Sequence, residues 1–308
     1  METRRIGSLE VSVVGLGCNN FGRRIDEART REVVETALGE GITLFDTADN
    51  YGDGKSEEFV GRILRGRRDQ VVIATKFGGM RPDLGREGGA EPAYVREAVE
   101  ASLQRLQTDR IDLYQLHVPD ANTPIADTLG ALDELVQAGK VREIGCSNFT
   151  AAQLLEADGA ATAAAGARFV SVQNELSLLE PADMDDALPE ASRLGLAYLP
   201  YFPLASGLLT GKYRRGEPPP DGTRIAGWDP EDTEGALTDA TFDQIDRLTA
   251  FAEERGHSIL ELAFGWLLGL DPVASVIAGA TSAAQVMANV AAGGWRPTAS
   301  DLDIAAQD

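Results

Sequence analysis

The chain has 308 residues, of which 43% are hydrophobic, and a formal net charge of −21 at pH 7. This composition suits a folded protein with a large core, and the acidic balance excludes general electrostatic affinity for nucleic acid or an anionic membrane. An anionic ligand would therefore need a local basic pocket. We expect residues 1–308 to form one domain, because α/β barrels of comparable length are commonly single domains.

Cysteine usage and the distribution of apolar residues predict where the protein works. Cys18 and Cys146 lie far apart and form no CxxC motif or disulfide framework, which indicates a reducing compartment. No apolar core of signal-peptide length precedes Gly15, and the apolar run at 263–270 is too short to span a bilayer. We therefore expect a cytoplasmic protein outside the membrane, and the sequence shows no metal-ligand spacing.

The predicted elements begin with a small hairpin that turns at Gly7 and Ser8. Beyond it, short apolar segments alternate with amphipathic helical ones, as expected for strands buried on both faces and the helices that cover them. Strands are predicted at 14–17, 42–46, 71–75, 111–116, 141–145, 169–173, 196–201 and 274–278, and the clearest helices at 29–40, 94–106 and 124–138. The alternation predicts an α/β fold, a (β/α)8 TIM barrel with an N-terminal β-hairpin, with a doubly wound open sheet as the alternative.

A long connection after the seventh predicted strand departs from this rhythm. It runs from Pro203 to about Thr238 and contains three consecutive prolines at 218–220. Connections of such length in compact domains are usually lids or binding loops. We expect this one to cover a ligand, with a mobile insertion as the alternative.

Four side chains suited to acid–base chemistry lie at or just after strand ends. Asp46, Lys76 and His117 close the second, third and fourth predicted strands, and Tyr51 follows in the loop after the second. Because the carboxyl ends of barrel strands surround the active site, these groups are predicted on one rim. Tyr51 could protonate a carbonyl oxygen if the charge of Lys76 lowers its pKa from roughly 10. Asp46 would neutralise Lys76, and His117 would polarise the carbonyl, although each residue taken singly could have a structural role.

Three segments in the expected order resemble signatures of the aldo-keto reductase family, in its potassium-channel β-subunit-like and bacterial branch. Residues 46–52 read DTADNYG, residues 111–117 read IDLYQLH, and residues 140–149 read KVREIGCSNF. The resemblance extends over almost the whole chain. It implies a barrel enzyme with a nicotinamide cofactor, in which Tyr51 is the general acid and Asp46, Lys76 and His117 support it.

The resemblance also implies where the nicotinamide end of the cofactor would bind. The run GLGCNNFG at 15–22 lacks the third glycine of a Rossmann fingerprint, and the resemblance places it beside the nicotinamide. Tyr201 would stack on the nicotinamide ring. The other expected contacts at this end are Gly17, Cys18, Asp46, Ser147, Asn148 and Gln173.

The phosphate and adenosine end is implied by two further segments. A loop around the pyrophosphate would supply Pro203, Leu204, Ser206, Gly207, Leu208 and Lys212. The segment after the eighth strand would hold the adenosine end through Gly279, Thr281, Gln285 and Asn289, with Arg224 reaching it from the long connection. NADPH (NADP) is the expected cofactor. NAD is possible, because Thr281 and Gln285 are neutral where many NADPH-preferring members have Arg or Lys.

These implications predict an NAD(P)H-dependent oxidoreductase that reduces aldehydes or ketones to alcohols. The alternatives are an NAD-dependent sugar (aldose) dehydrogenase and an NADP-binding accessory or sensor protein without turnover. The expected partner is a small carbonyl substrate, and the sequence leaves its identity, the direction of the reaction and the oligomeric state open. The candidate pocket aromatics are Phe21, Phe77, Phe202, Trp228 and Trp295.

Overall fold

The computed structural model, which describes residues 1–79, 89–298 and 301, is organised around a barrel of parallel strands. The strands are β1 (Thr3–Ile6), β2 (Leu9–Ser12), β3 (Val14–Gly17), β4 (Leu44–Asp46), β5 (Val72–Phe77), β6 (Ile111–Leu116), β7 (Val141–Ser147), β8 (Phe169–Gln173), β9 (Ala197–Tyr198) and β10 (Val276–Gly279). Strands β3 to β9 are adjacent in chain order, and β10 pairs with β3. Hydrogen bonds from Tyr198 N to Pro272 O (3.0 Å) and from Ile277 N to Pro200 O (3.1 Å) join the two remaining edges. The predicted TIM barrel is confirmed, and the open doubly wound sheet is wrong.

The barrel strands are apolar because both of their faces are buried. Strands β3, β5 and β6 have no exposed residue, so a run of apolar side chains is stabilised against the interior and against the helices outside. Strand β9 is shorter than predicted, at 197–198 rather than 196–201. It ends just before Pro200, which has no N–H to donate to a ladder.

Helices surround the barrel and follow the predicted alternation. They are α1 (Glu27–Gly39), α2 (Lys55–Ile63), α3 (Pro92–Leu106), α4 (Ile125–Gln137), α5 (Ala151–Ala164), α6 (Ala187–Leu194), α7 (Pro230–Ala236), α8 (Asp239–Glu253), α9 (Ile259–Gly269) and α10 (Ala283–Ala292). The turns after α4 and α6 contain Gly139 and Gly195 at φ 72° and 71°, a left-handed conformation that glycine adopts without a Cβ penalty.

The N-terminal hairpin covers the amino-terminal end of the barrel. Strands β1 and β2 pair antiparallel around Gly7 and Ser8, as predicted. Ile6, Leu9 and Val11 are buried in a cluster with residues near the beginnings of barrel strands, including Leu44 and Leu113. This end is therefore filled with apolar side chains, and the loops at the opposite, carboxyl end are left to form a cleft.

The long connection is more ordered than its composition predicts. It contains 3-10 turns at Ala205–Thr210 and Ile225–Gly227, followed by the short helix α7. Six residues between 203 and 212, together with residues 221–224, contribute to the wall of the cleft, so this segment does face a potential ligand, as expected of a binding loop.

Candidate active site

A cleft of about 1270 Å³ opens at the carboxyl ends of the barrel strands. Asp46, Tyr51 and His117 lie on its wall. So does every residue predicted to contact the cofactor except Leu208, which is buried nearby at 8% exposure. Lys76 lies beneath the wall, at 1% exposure. The topology thus brings together side chains that are up to 271 residues apart in the chain, from Cys18 to Asn289.

The floor of the cleft holds a buried ion pair directed at a tyrosine. Lys76 Nζ donates to Asp46 Oδ2 at 2.6 Å, to the Thr47 carbonyl at 2.9 Å and to Tyr51 Oη at 3.4 Å. The side chains of Lys76 and Asp46 are only 1% and 4% exposed, so water contributes little to neutralising either charge. Lys76 Nζ also lies 5.0 Å from the centroid of the Tyr51 ring. The ammonium therefore faces both its counter-ion and the candidate acid.

Burial and charge act in opposite directions on these groups. Burial disfavours the charged form of Lys76, but Asp46 and Tyr51 outweigh it and raise the pKa of Lys76 above its ordinary value. Burial raises the pKa of Tyr51, and the charge of Lys76 offsets this only in part. The net shift of Tyr51 is opposite to the lowering expected from the sequence, because that expectation omitted the desolvation of the phenol. Tyr51 is consequently protonated at neutral pH.

His117 lies beside Tyr51 on the wall of the cleft. The two rings meet edge to face, with centroids 5.8 Å apart and an interplanar angle of 80°. Burial, and then the charge of Lys76, lower the pKa of His117 to about 3, so the imidazole is neutral at physiological pH. Its Nδ1 is buried and has no hydrogen-bond partner among the described residues. A Cβ added at Gly79 would lie 2.7 Å from this nitrogen, so the glycine makes room for the ring.

Polar and aromatic groups line the middle of the cleft. Tyr201 donates its hydroxyl to Asn148 Oδ1 at 2.8 Å, and Asn148 Nδ2 donates to the His117 carbonyl at 2.8 Å. Asn148 has φ 61°, a left-handed conformation that asparagine tolerates better than most residues. Ser147 Oγ donates to the Gln173 carbonyl at 2.6 Å. These contacts fix amide and hydroxyl groups near Tyr201, which suits a flat heteroaromatic ring bearing an amide.

One end of the cleft concentrates positive charge in an otherwise acidic protein. Arg23, Arg24, Lys212 and Arg224 line it, and none of them forms an ion pair within the described ranges 1–79, 89–298 and 301. Burial and the charge of Arg24 lower the pKa of Lys212 and of Arg224, with further contributions from Arg224 and Arg23 respectively. Four cations held together without carboxylate partners form a site that favours an anion.

Sequence reasoning missed several residues of this end. Arg24 donates to the Gly222 carbonyl at 2.8 Å, and Arg224 lies 3.4 Å from the side-chain oxygens of both Asn19 and Asn20. These contacts join the loop after β3 to the long connection. The available signal was the pair Arg23-Arg24 directly after the glycine-rich run.

Arg29, on α1, was also missed. Its Nε donates to the Thr281 carbonyl at 3.0 Å, which brings a cation to a segment that has none of its own. The contact joins parts of the chain 252 residues apart, so local sequence carries no sign of it.

Four of the five aromatic residues suggested as substrate contacts do not lie on the cleft wall, and that expectation is wrong for them. Phe21 and Phe77 are fully buried, and Phe77 stacks on Tyr114 with centroids 4.7 Å apart. Trp295 stacks on His257 at 4.0 Å, and Trp228 is 37% exposed. Phe202 lines the cleft and packs edge to face against Tyr201.

Membrane-crossing helices and metal-binding clusters are both absent from the residues that the structure describes. None of their helices is both long and apolar enough to cross a membrane. No group of three or more His, Cys, Asp or Glu side chains among them is placed to hold a metal ion.

Residues 13–305 match the model of the Aldo/keto reductase family. The chain belongs to the aldo-keto reductase family. It is 36% identical to the aldo-keto reductase YhdN of Bacillus subtilis over 304 residues, covering 95% of this chain and 88% of the relative. A probable voltage-gated potassium channel subunit beta of Arabidopsis thaliana is 32% identical, with 95% and 91% covered. Among solved structures, the glycerol dehydrogenase AKR11B4 from Gluconobacter oxydans superposes with a TM-score of 0.83 at 32% identity, covering 98% of this chain and 93% of that one.

Membership of the aldo-keto reductases makes this chain an oxidoreductase of a family that uses nicotinamide cofactors and acts on small carbonyl compounds. The fold, the order of the signature segments and the position of the cleft agree with that membership.

Proposed function

We propose that this aldo-keto reductase uses NADPH to reduce aldehydes or ketones to alcohols. The observation that carries the proposal is the buried Lys76–Asp46 pair directed at the Tyr51 hydroxyl, with His117 beside it, at a large cleft. A carbonyl oxygen bound here would thus meet a proton donor, Tyr51, and a neutral hydrogen-bond donor, His117. The charge of Lys76 would support the conjugate base of Tyr51.

The cleft fits a dinucleotide in size and in chemistry. Its volume of about 1270 Å³ exceeds the roughly 300–1,000 Å³ of most pockets for one drug-sized molecule. Ser147, Asn148 and Gln173 would hold the nicotinamide amide, and the ring of Tyr201 would lie against the nicotinamide. Lys212 and the arginines on the cleft wall would neutralise the phosphates. When bound, the nicotinamide would supply the hydride that reduces the carbonyl carbon.

The residues of the chain divide the remaining work among themselves. Tyr51 would give its proton to the carbonyl oxygen, and its raised pKa keeps it in the protonated form that this step needs. Lys76 would stabilise the phenolate left behind, since its ammonium already lies 3.4 Å from the hydroxyl. Asp46 keeps Lys76 charged in a site that water barely reaches. His117, neutral and beside Tyr51, would donate a hydrogen bond to the same carbonyl oxygen.

The proposed preference for NADPH over NADH rests on Arg29, a cation that comes from α1 and not from the segment after β10. Gln285 Oε1 accepts from Thr281 N at 2.7 Å and from Thr281 Oγ1 at 3.1 Å, so that segment is closed on itself and neutral. Arg29 donates from Nε to the Thr281 carbonyl and pairs through Nη1 with Glu32, and its Nη2 is not engaged with any described residue. A 2′-phosphate at this end of the cleft would find its charge partner in Arg29.

Titrations of NADPH and NADH, followed by turnover with a panel of aldehydes and ketones, test this proposal. We expect tighter binding of NADPH, and Arg29→Gln should weaken NADPH while leaving NADH unchanged. Arg31→Gln is the matched control, because Arg31 lies on the same helix in an exposed pair with Glu27. Equal affinity for the two cofactors, or equal effects of the two variants, would contradict the NADPH assignment.

Oxidation of a polyol or sugar is a second candidate, favoured by the structural similarity to a glycerol dehydrogenase. The same residues would act in reverse, with Tyr51 accepting the alcohol proton. Assaying both directions with each cofactor separates the two functions. Tight NADPH binding without turnover in either direction would instead indicate an accessory protein, which the similarity to the channel subunit suggests.

A further inference from the structure

We propose that Gln115 is a positioning residue for this reaction: it holds Asp46 from inside the barrel and orients the amide of Gln173 toward the cofactor. The inference rests on the proposed function and adds a residue that none of the signature roles includes. Gln115 lies on β6, two residues before His117, and is completely buried. It is not on the wall of the cleft, so it would act through other side chains.

The two oxygens of Asp46 have different partners. Oδ2 accepts from Lys76 Nζ at 2.6 Å. Oδ1 accepts from Gln173 Nε2 at 2.9 Å and from Gln115 Nε2 at 3.3 Å. A carboxylate whose side chain is 4% exposed thus has a donor for each oxygen, and its plane is held by groups from β5, β6 and β8. Without Gln115, one oxygen would depend on Gln173 alone.

The orientation of Gln173 follows from these contacts. Its Nε2 faces Asp46 and lies 3.5 Å from Gln115 Oε1, so both neighbours select the nitrogen for the inward position. Its Oε1 then faces the other way and accepts no hydrogen bond from the described residues. Because Gln173 lines the cleft, this oxygen is offered as an acceptor, and the N–H of a nicotinamide amide is a matching donor.

The barrel interior is shaped so that the two glutamines can meet. Strand β7 lies between β6 and β8, and at this level it carries Gly145, which pairs in register with Gln115. A Cβ at Gly145 would lie 3.3 Å from Gln115 Cγ and only 2.5 Å from Ser171 Oγ. The glycine therefore leaves the space through which Gln115 reaches Gln173 and Asp46.

Gln115→Leu tests the proposal, with Ser171→Ala as the control. Ser171 Oγ is buried in the same interior, but no described residue hydrogen-bonds to it. For Gln115→Leu we expect kcat to fall about tenfold, the worth of one hydrogen bond to a charged group, and NADPH to bind a few-fold more weakly. The KM for the carbonyl should stay within about twofold, since Gln115 touches no substrate. With a cofactor deuterated at C4, the isotope effect on kcat should be larger in Gln115→Leu than in the unmodified protein. Ser171→Ala should match the unmodified protein in kcat, NADPH affinity and isotope effect.

A folded Gln115→Leu protein with unchanged kcat and NADPH affinity overturns the inference, even if its melting temperature falls. If that variant does not fold, Gln115→Met is the second substitution, and the side-chain amide signals of ¹⁵N-glutamine in the unmodified protein are the second measurement. We expect the Gln115 amide to exchange slowly with and without NADP, and the Gln173 signal to move when NADP is added. Rapid exchange at Gln115 would also overturn it. Failure of the unmodified chain to bind or turn over NADPH would instead refute the proposed function on which the inference depends.

Discussion

Replacing Asp46 by Asn should destabilise the protein strongly, because the change leaves a buried ammonium without its counter-ion. Lys76 would keep two neutral acceptors, the Thr47 carbonyl at 2.9 Å and the Tyr51 hydroxyl at 3.4 Å. The new amide can still use its oxygen to accept from Gln173, so its nitrogen would face Lys76 Nζ, where the present contact is 2.6 Å. We expect the free energy of unfolding to fall by about 3–5 kcal/mol, as when one partner of a buried ion pair is removed.

The loss should depend on pH in a definite direction. The raised folded-state pKa of Lys76 means that its stabilising contribution is complete below the unfolded pKa near ~10.4 and is lost as pH rises through the folded value. In Asp46→Asn, burial without the carboxylate would lower the pKa of Lys76, so the penalty should shrink as pH rises. Urea unfolding of both proteins at pH 6.5 and pH 9.5 measures how the penalty shrinks, since the Lys76 contribution in the unmodified chain is still complete at both pH values.

The matched control is Asp69→Asn. Asp69 pairs with Arg110 at the surface, and its side chain is 88% exposed, so water can replace the lost charge. We expect a change within about 0.5 kcal/mol. A loss below about 1 kcal/mol for Asp46→Asn, or equal losses for the two variants, would refute the view that Asp46 is the main counter-ion of Lys76.

Three further predictions follow from the geometry of the cleft. Gly79→Ala should reduce kcat at least tenfold, because the new Cβ would lie 2.7 Å from His117 Nδ1. The control Gly130→Ala places its Cβ in open space on α4 and should leave kcat unchanged. Equal kcat values for the two variants would contradict this prediction. Lys212→Met should weaken NADPH binding about tenfold and make that binding less dependent on salt. Arg214→Met, outside the cleft wall, should change neither property. Fluorescence titration of NADPH at two salt concentrations measures both, and equal effects of the two variants would contradict the prediction. Because the folded pKa of His117 is about 3, against an ordinary 6.5, stability should fall as pH drops from 6.5 toward 3. The urea midpoint of His117→Asn should drop less between pH 7 and pH 4 than that of the unmodified protein. An equal drop in the two proteins would contradict the lowered pKa of His117.

The sequence predicted most of the fold, because strands buried on both faces must be apolar. The bounds of β3, β6 and β8 agree with the predicted 14–17, 111–116 and 169–173. The shorter β9 and the helical turns within the long connection were missed, since proline and tertiary contacts decide them rather than periodicity. The grouping of Asp46, Tyr51, Lys76 and His117 was also predictable, because three of these four candidate residues lie at the ends of adjacent strands and strand ends share one rim.

Long-range contacts were not predictable in the same way. Arg29 reaches Thr281 across 252 residues, and Gln115 reaches Asp46 across 69. Neither pairing leaves a local pattern. The direction of the Tyr51 pKa shift was missed for a related reason: it depends on how completely the phenol is desolvated, and that depends on the packing of the whole rim.

Proton donation by Tyr51 is the step on which the proposed NADPH-dependent carbonyl reduction depends. The most direct test compares the unmodified protein with Tyr51→Phe by loss of the nicotinamide absorbance with an aldehyde panel and by direct titration of NADPH. We predict that kcat falls by about 10²–10⁴-fold, the usual range for loss of a general acid, while the dissociation constant of NADPH changes by less than about threefold. Retention of kcat in Tyr51→Phe, alongside unchanged NADPH binding, would contradict the account.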